Sequence, residues 1–167
     1  MVRDNLRVLQ LDANELGGDR GAAVGRNTTW NRLEELRLSS CLIGDKGAIA
    51  IARNTTWSNL KILDLSMNNI NAEGGAALGS NVLWKNLEAL YLSDNRIRDK
   101  GASAIASNTS WKNLVILELG YNEISDEGAV FFGKNTSWEN FESFHLPVNQ
   151  IGNKGAVHAM VAYWAQL

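Results

Sequence analysis

The sequence predicts a right-handed α/β solenoid, with a parallel β-sheet on its concave face and short helices on its convex face. Three observations predict this fold: a 27-residue repeat, apolar columns with the same spacing, and a change of hydrophobic period inside every unit. The repeat is marked by Trp30, Trp57, Trp84, Trp111 and Trp138. Because one strand and one short helix cannot bury their own apolar sides, the units must stack and share one core.

The first half of each unit is predicted to be a short strand. Ile62-Leu63-Asp64-Leu65-Ser66 alternates apolar and polar residues, which directs the two leucines inward. The inward positions recur through the chain, as in the columns Leu9, Leu36, Leu63, Leu90, Leu117, Phe144 and Leu11, Leu38, Leu65, Leu92, Leu119, Leu146.

The second half of each unit is predicted to be a short helix, since Ala48, Ile51 and Ala52 follow Asp45 with helical spacing. Three aspartates are predicted to cap the helices that they begin, namely Asp45, Asp99 and Asp126. Four asparagines are predicted to end the helices in a left-handed C-cap conformation, namely Asn54, Asn81, Asn108 and Asn135.

Composition excludes several classes of function. With 16 Lys+Arg against 18 Asp+Glu and a net charge of -2, the chain lacks the basic footprint of a nucleic-acid-binding domain. No apolar run is long enough to insert into a membrane, and no signal peptide follows Met1. The one cysteine excludes an intrachain disulfide or a zinc site of several thiolates. We therefore expect a monomeric, cytoplasmic protein.

The motif Leu-x-x-Leu-x-Leu-x-x-Asn-x-Ile, from Leu87 to Ile97, resembles the leucine-rich repeat. The phrase Gly-Asp-Lys-Gly-Ala at 44–48 resembles the ribonuclease-inhibitor-like subfamily, which includes RanGAP-type regulators, NOD-like receptor sensors and effectors of intracellular bacteria. The resemblance implies a horseshoe segment that forms one domain over residues 1–167, with delivery into a host cell if the chain is such an effector. Its six repeats lie at approximately 5–30, 31–57, 58–84, 85–111, 112–138 and 139–167.

The resemblance also implies a ladder of inward-turned side chains after the strands, whose amides satisfy backbone groups of the loop and of the neighbouring repeat. Its members are Asn14, Cys41, Asn68, Asn95, Asn122 and Asn149. Cys41 is interpreted as a buried structural thiol, and the tryptophans as core. Four asparagines begin N-x-Ser/Thr sequons, and their recurrence favours turn formation while leaving glycosylation open: Asn27, Asn54, Asn108 and Asn135.

The terminal units depart from the pattern, as expected of solenoid ends. In the first unit Arg20 replaces the usual glycine, and Arg3 stands where a tryptophan would be. In the last unit Ala162 replaces the helix-ending asparagine, and Tyr163 and Trp164 are expected to close the open end.

Residues between the inward leucines are predicted to face outward from the concave sheet. The central outward column changes in every unit while the framework hardly varies, which favours a binding surface: Gln10, Arg37, Asp64, Tyr91, Glu118 and His145. Cross-strand ion pairs are predicted between Arg37 and Asp64 and between Glu118 and His145.

The predicted partner-binding residues combine this column with its apolar neighbours, as an exposed patch anchored by Tyr91 and Tyr121. They are Arg37, Ile62, Asp64, Met67, Ala89, Tyr91, Asp94, Ile116, Glu118, Tyr121 and His145. Asp64, Asp94 and Glu118 are predicted to form an acidic margin suited to a basic partner.

The predicted function is protein–protein interaction, with a protein partner of unknown identity and without cofactor, metal or nucleic acid. No nucleophile has an arranged base, and neither His145 nor His158 belongs to a metal-spaced cluster, so we expect no enzyme activity. One alternative is a RanGAP-like regulator that uses Arg96 and Arg98 on the loop rim, where Asp94 and Asp99 offer them partners. A second alternative is a structural fragment of a longer repeat array.

Overall fold

The computed structural model describes residues 5–157, which form a single six-stranded parallel sheet in the order β1-β2-β3-β4-β5-β6. The strands are short: β1 Val8–Gln10, β2 Glu35–Arg37, β3 Ile62–Asp64, β4 Ala89–Tyr91, β5 Ile116–Glu118 and β6 Ser143–His145. Each residue pairs with the one 27 positions further along, as Leu63 does with Leu90. The predicted α/β solenoid with a parallel sheet is therefore confirmed.

The alternation within the strands follows the predicted register. Leu90 and Leu92 are fully buried, whereas Tyr91 between them is only half-buried. The core consists of the leucine and isoleucine columns together with Trp57, Trp84 and Trp111, which are also fully buried. The tryptophans thus fill the return from helix to strand.

Short helices alternate with the strands on the other face of the sheet. They are α1 Gly17–Gly25, α2 Gly44–Ala52, α3 Ala72–Gly79, α4 Arg98–Ala106 and α5 Asp126–Phe132, and residues 153–157 are also helical. Within residues 5–157, none of these helices is both long and apolar enough to span a bilayer.

The prediction that each aspartate caps its own helix is wrong. Asp99 lies inside the first turn of α4, and its Oδ1 atom accepts hydrogen bonds from the backbone nitrogens of Ser125 (2.7 Å) and Gly128 (3.1 Å). Asp45 and Asp126 make the equivalent bonds one repeat further on. Each carboxylate therefore satisfies the free N–H groups at the start of the following helix, and so joins consecutive repeats.

The prediction of left-handed asparagine C-caps is also wrong. The helices end in right-handed residues such as Arg53 and Ser107, and none of the four asparagines has a positive φ. Instead, Asn54 Nδ2 donates to the carbonyl oxygens of Gly25 and Asn27, both at 2.8 Å. It thereby caps the C-terminus of the preceding helix. Attachment of a glycan to this buried nitrogen is incompatible with the fold.

The helices pack in close pairs, α1 with α2 and α3 with α4. In each pair a glycine at the end of the first helix lies against the backbone of the second. A Cβ atom on Gly25 would lie 2.5 Å from the nitrogen of Ile51, and one on Gly79 would lie 2.4 Å from the nitrogen of Ile105. These distances leave no room for a side chain.

Further contacts join the same two pairs of repeats. The indole rings stack within each pair, with centroid distances of 6.4 Å for Trp30–Trp57 and 6.5 Å for Trp84–Trp111. Ion pairs link the same helices: Asp19 with Lys46, and Glu73 with Lys100. The first four repeats are thus joined as two pairs.

The predictions for the chain ends are only partly covered by the structure. Arg20 lies in α1 and donates to the carbonyl oxygens of Glu15 and Leu16 at 3.5 and 3.4 Å. The predictions for Arg3, His158, Ala162, Tyr163 and Trp164 fall outside residues 5–157.

We predict that Gly79→Ala destabilises the protein by about 1–3 kcal/mol, because the added methyl group overpacks the α3–α4 contact. Urea unfolding measures the change. Gly18→Ala is the matched control, since its Cβ atom would meet nothing closer than 3.4 Å. In a helix that exchange is expected to be neutral or to stabilise by up to about 1 kcal/mol. Equal stability of the two variants would contradict the close helix pairing.

Candidate functional site

The concave face carries a hydrogen-bonded network centred on Arg37. Its Nε atom donates to Glu35 Oε1 at 2.6 Å, and its Nη1 atom lies 3.6 Å from Asp64 Oδ2. Gln10 Nε2 donates to the same Glu35 oxygen at 2.7 Å. The Arg37 guanidinium carbon lies 5.9 Å from the centroid of the Tyr91 ring. One arginine therefore spans three strands and joins two carboxylates to an aromatic ring.

Sequence reasoning found the Arg37–Asp64 pair but missed Glu35, which is the closer partner. The signal was available, because residues two apart on a strand project from the same face. The Arg37 donor, and secondarily Gln10, hold the pKa of the Glu35 carboxyl below its usual range.

The predicted apolar residues differ in exposure. Ala89 is only 6% exposed, so the prediction that it belongs to an exposed patch is wrong. It lies between Ile62 and Ile116 in the sheet register, and both of these larger side chains are half-buried. The methyl group of Ala89 is therefore covered by its two larger neighbours, and it interrupts the predicted apolar patch on the concave face.

The most exposed predicted residues lie just beyond the strands, in the column Ala13, Ser40, Met67, Asp94, Tyr121 and Val148. All six have a left-handed backbone with φ between 53° and 57°. Met67 and Tyr121 are 52% and 55% exposed. The Asp94 nitrogen donates to the Gly120 carbonyl at 2.9 Å, which places Met67, Asp94 and Tyr121 side by side on adjacent repeats. We call these three residues the rim triplet.

The predicted acidic margin is reduced by ion pairs within the chain. Asp64 is paired with Arg37, and Glu118 Oε1 lies 3.8 Å from His145 Nδ1, an ion pair when the histidine is protonated. The Asp94 carboxylate has no ion pair or hydrogen bond within residues 5–157 and is exposed. Of the three acidic residues, Asp94 is the most exposed and has no partner among the described residues, whether or not His145 is protonated.

The rim arginines do not pair as predicted. Arg98 Nε donates to Glu123 Oε2 at 2.8 Å, while Asp99 binds backbone nitrogens of the next repeat. Arg96 is exposed. Among residues 5–157, an ion-pair partner is therefore seen for Arg98 and not for Arg96.

The ladder residues connect adjacent repeats. Asn68 Oδ1 accepts hydrogen bonds from the backbone nitrogens of Cys41 (3.0 Å) and Ile43 (3.2 Å), and its Nδ2 atom donates to the Leu38 carbonyl (2.7 Å). The same pattern recurs at Asn95 and Asn149, and at Asn122 without the first of the two backbone donors. Asn14 in the first repeat is exposed and bonds only its own loop.

Cys41 occupies one rung of this ladder. Its thiol is fully buried and donates to the Leu11 carbonyl at 3.0 Å, as the asparagine amides do. Burial raises the pKa of the Cys41 thiol, which keeps it protonated and unreactive.

A cleft of ≈ 590 Å³ opens between α1 and α2 on the convex side, lined by Arg26, Lys46 and Arg53 among others. Lys46 is already paired with Asp19. Within residues 5–157, no group of three or more His, Cys, Asp or Glu side chains is arranged to hold a metal ion.

Stacked strand–helix units with a shared core and an amide ladder define a solenoid repeat protein. A family model described as Leucine Rich repeat matches residues 31–52, 58–79, 85–106 and 112–133, more than half of the chain. The chain therefore belongs to the leucine-rich repeat family, whose repeats generally mediate protein–protein interactions.

A solved structure similar to this chain is that of an internalin (inlF) from Listeria monocytogenes str. 4b F2365, with 15% sequence identity and a TM-score of 0.32. The similarity covers 95% of this chain and 66% of the internalin chain. No match is found among curated proteins.

We predict that Arg37→Gln raises the pKa of Glu35 toward its usual range, because the principal donor to the carboxylate is lost. Gln10→Ala is expected to cause a smaller rise. Carbon NMR titration of the carboxyl group measures both. Since the folded pKa is lowered, ionised Glu35 contributes stability above its ordinary pKa, and this is lost as pH falls through the folded value. A titration unaffected by Arg37→Gln would contradict the network.

We predict that the Cys41 thiol in the native protein reacts with an aromatic disulfide reagent roughly a hundredfold or more slowly than in the unfolded chain, since reaction requires opening of the core. Absorbance of the released thiolate, with and without denaturant, gives both rates. Because the chain has one cysteine, the signal comes from this residue alone. Comparable rates would show that the thiol is accessible.

Proposed function

We propose that this chain is a protein-binding module whose partner docks on the concave sheet face and the adjoining rim triplet. It acts as a monomeric single domain of six repeats, with boundaries near 30/31, 57/58, 84/85, 111/112 and 138/139. We further propose that it is of the ribonuclease-inhibitor-like type and works in the cytoplasm, or in a host cell into which it is delivered.

The contrast between a buried framework and a varied outer column carries the proposal. The inward position is a fully buried leucine in three successive strands, at Leu63, Leu90 and Leu117. The next residue in each strand faces outward and differs every time: Asp64, Tyr91 and Glu118. Packing explains the constancy of the leucines, but it places no such demand on the outward positions. Tyrosine in particular is enriched at interface hot spots.

Preorganisation supports the same proposal. In the Arg37 network, outward-facing side chains from the four strands β1 to β4 are held by hydrogen bonds, an ion pair and a ring contact in the absence of a partner. A surface that is already ordered loses less conformational entropy on binding than one with free side chains.

The RanGAP-like alternative has less support from the contacts. Arg98 is bound to Glu123, so a regulatory arginine would have to be Arg96 alone. In the fragment alternative, this chain is a structural part of a longer array whose binding surface lies elsewhere, and the intact mass of the native gene product would test it.

We predict that Tyr91→Ala/Tyr121→Ala loses partners that the wild type retains from a cell lysate, because both aromatic contacts of the concave side are removed. Quantitative mass spectrometry of the retained proteins is the measurement. The matched control is Leu83→Ala/Phe131→Ala, which removes two exposed apolar side chains away from the sheet face.

Thermal unfolding of both variants must match the wild type, so that lost binding reports on the surface. Retention of the same partners by the tyrosine variant, with loss in the control, would place binding on another face. Equal retention by all three proteins would also contradict docking on the concave face.

A further inference from the structure

We propose that the rim triplet is a recognition site for an arginine side chain of the protein partner, received by the Asp94 carboxylate and the Tyr121 ring together. This inference rests on the proposed function and specifies the chemistry of the partner. It commits to a guanidinium group on an extended segment or loop that crosses the rim above strands β4 and β5.

Two complementary groups lie side by side at the rim without partners in the described chain. Asn95 N donates to the Tyr121 carbonyl at 3.2 Å, and Asp94 N donates to Gly120, so Asp94 and Tyr121 occupy equivalent positions on adjacent repeats. Such positions are about 4.8 Å apart across a sheet. Within residues 5–157, neither the Asp94 carboxylate nor the Tyr121 ring has an ionic, hydrogen-bonded or ring contact.

A similar arrangement of a carboxylate beside an aromatic ring is already satisfied on the strands. Arg37 is held by carboxylates at 2.6 and 3.6 Å, and its guanidinium carbon lies 5.9 Å from the Tyr91 ring centroid. There the cation comes from the chain itself. At the rim the carboxylate and the ring are present, but the cation is missing.

No residue of the described chain supplies a cation to Asp94 and Tyr121. Arg98 is committed to Glu123, and Arg96 makes no ion pair with Asp94. On the side of Asp94 opposite to Tyr121, the Met67 sulfur accepts a hydrogen bond from Ser40, and the Met67 side chain is exposed. An incoming arginine would therefore find its charge neutralised by Asp94 and its alkyl stem covered by Met67.

Arginine is favoured over lysine by the geometry of the two groups. A planar guanidinium can donate to a carboxylate at its edge while its face stacks on an aromatic ring. A lysine ammonium has no flat face and is more strongly hydrated, so it would gain less from Tyr121.

The test is selection of a random peptide library displayed on phage against the wild-type protein, followed by affinity measurement with one synthetic peptide from the selection. We expect the recovered peptides to share an arginine. Replacing that arginine by citrulline, which has the same shape without the charge, is expected to weaken binding at least tenfold, and lysine is expected to substitute only partly.

The protein variants separate the site from general effects of charge. Asp94→Asn and Tyr121→Ala are each expected to weaken binding of the arginine peptide several-fold. Their effects should be less than additive with each other, because both act on one side chain. Glu139→Gln is the control, since it removes an exposed carboxylate elsewhere and should leave binding unchanged.

Recovered peptides without a shared arginine, affinity unaffected by Asp94→Asn, or the absence of any selected peptide would each overturn the inference. Failure of the arginine-site inference is distinguishable from failure of the proposal that a partner docks on the concave face. Peptides that bind without arginine and are lost in Tyr91→Ala would retain the proposed function and remove the arginine site alone.

Discussion

The hydrogen bonds from the ladder asparagines after the first repeat to the repeat before them are the interaction on which the rest of the structure depends. Asn95 accepts from the backbone nitrogens of Asn68 and Ile70 and donates to the Leu65 carbonyl. These groups are buried, and a buried polar group without a partner costs about 1–3 kcal/mol. A loop is therefore complete only when the next repeat is in place, at an offset of 27 residues. That offset aligns the outward columns, and so the concave surface follows from the ladder.

The convex side adds a second pattern with twice the period. At the C-terminal end of the helices, positions 27 residues apart alternate between glycine and alanine: Gly25, Ala52, Gly79, Ala106 and Gly133, the last of which directly follows α5. At Gly25 and Gly79, the two helices approach to backbone contact. Between α2 and α3 and between α4 and α5, the carboxylates of Asp45 and Asp99 reach the N-terminus of the next helix instead, and Asp126 makes the same contact after α5. In solenoids, stability is approximately a sum of terms between neighbours, and here those terms are of two kinds.

Much of the fold could be predicted from the sequence because a strict 27-residue period leaves one register for the sheet. The leucine columns, the buried tryptophans and the strand positions follow from it. The destination of Asp99 could not be predicted, since an aspartate in a first turn is equally suited to its own helix and to a neighbouring one. The burial of Ala89 depends on the bulk of Ile62 and Ile116 on either side, which no single repeat reveals. The reach of Arg37 to Tyr91 likewise spans two strand spacings. The alternation of glycine and alanine was present in the sequence, and comparison of repeats two apart would have found it.

The column of residues with a left-handed backbone, which includes Asp94, Tyr121 and Val148, contains some residue types that suit the turn and others that do not. Every repeat needs φ near 55° at this point, and glycine, asparagine and aspartate meet that need at least energetic cost. Asp94 is thus well suited to the turn, whereas Tyr121 and Val148 are not. A large side chain at such a position costs about 1–2 kcal/mol, and Tyr121 recovers little of it by burial because more than half of its surface is exposed. Stability therefore does not account for a tyrosine at this position. The proposed contact with a partner would account for it, because a fixed backbone holds the ring beside Asp94 before binding occurs.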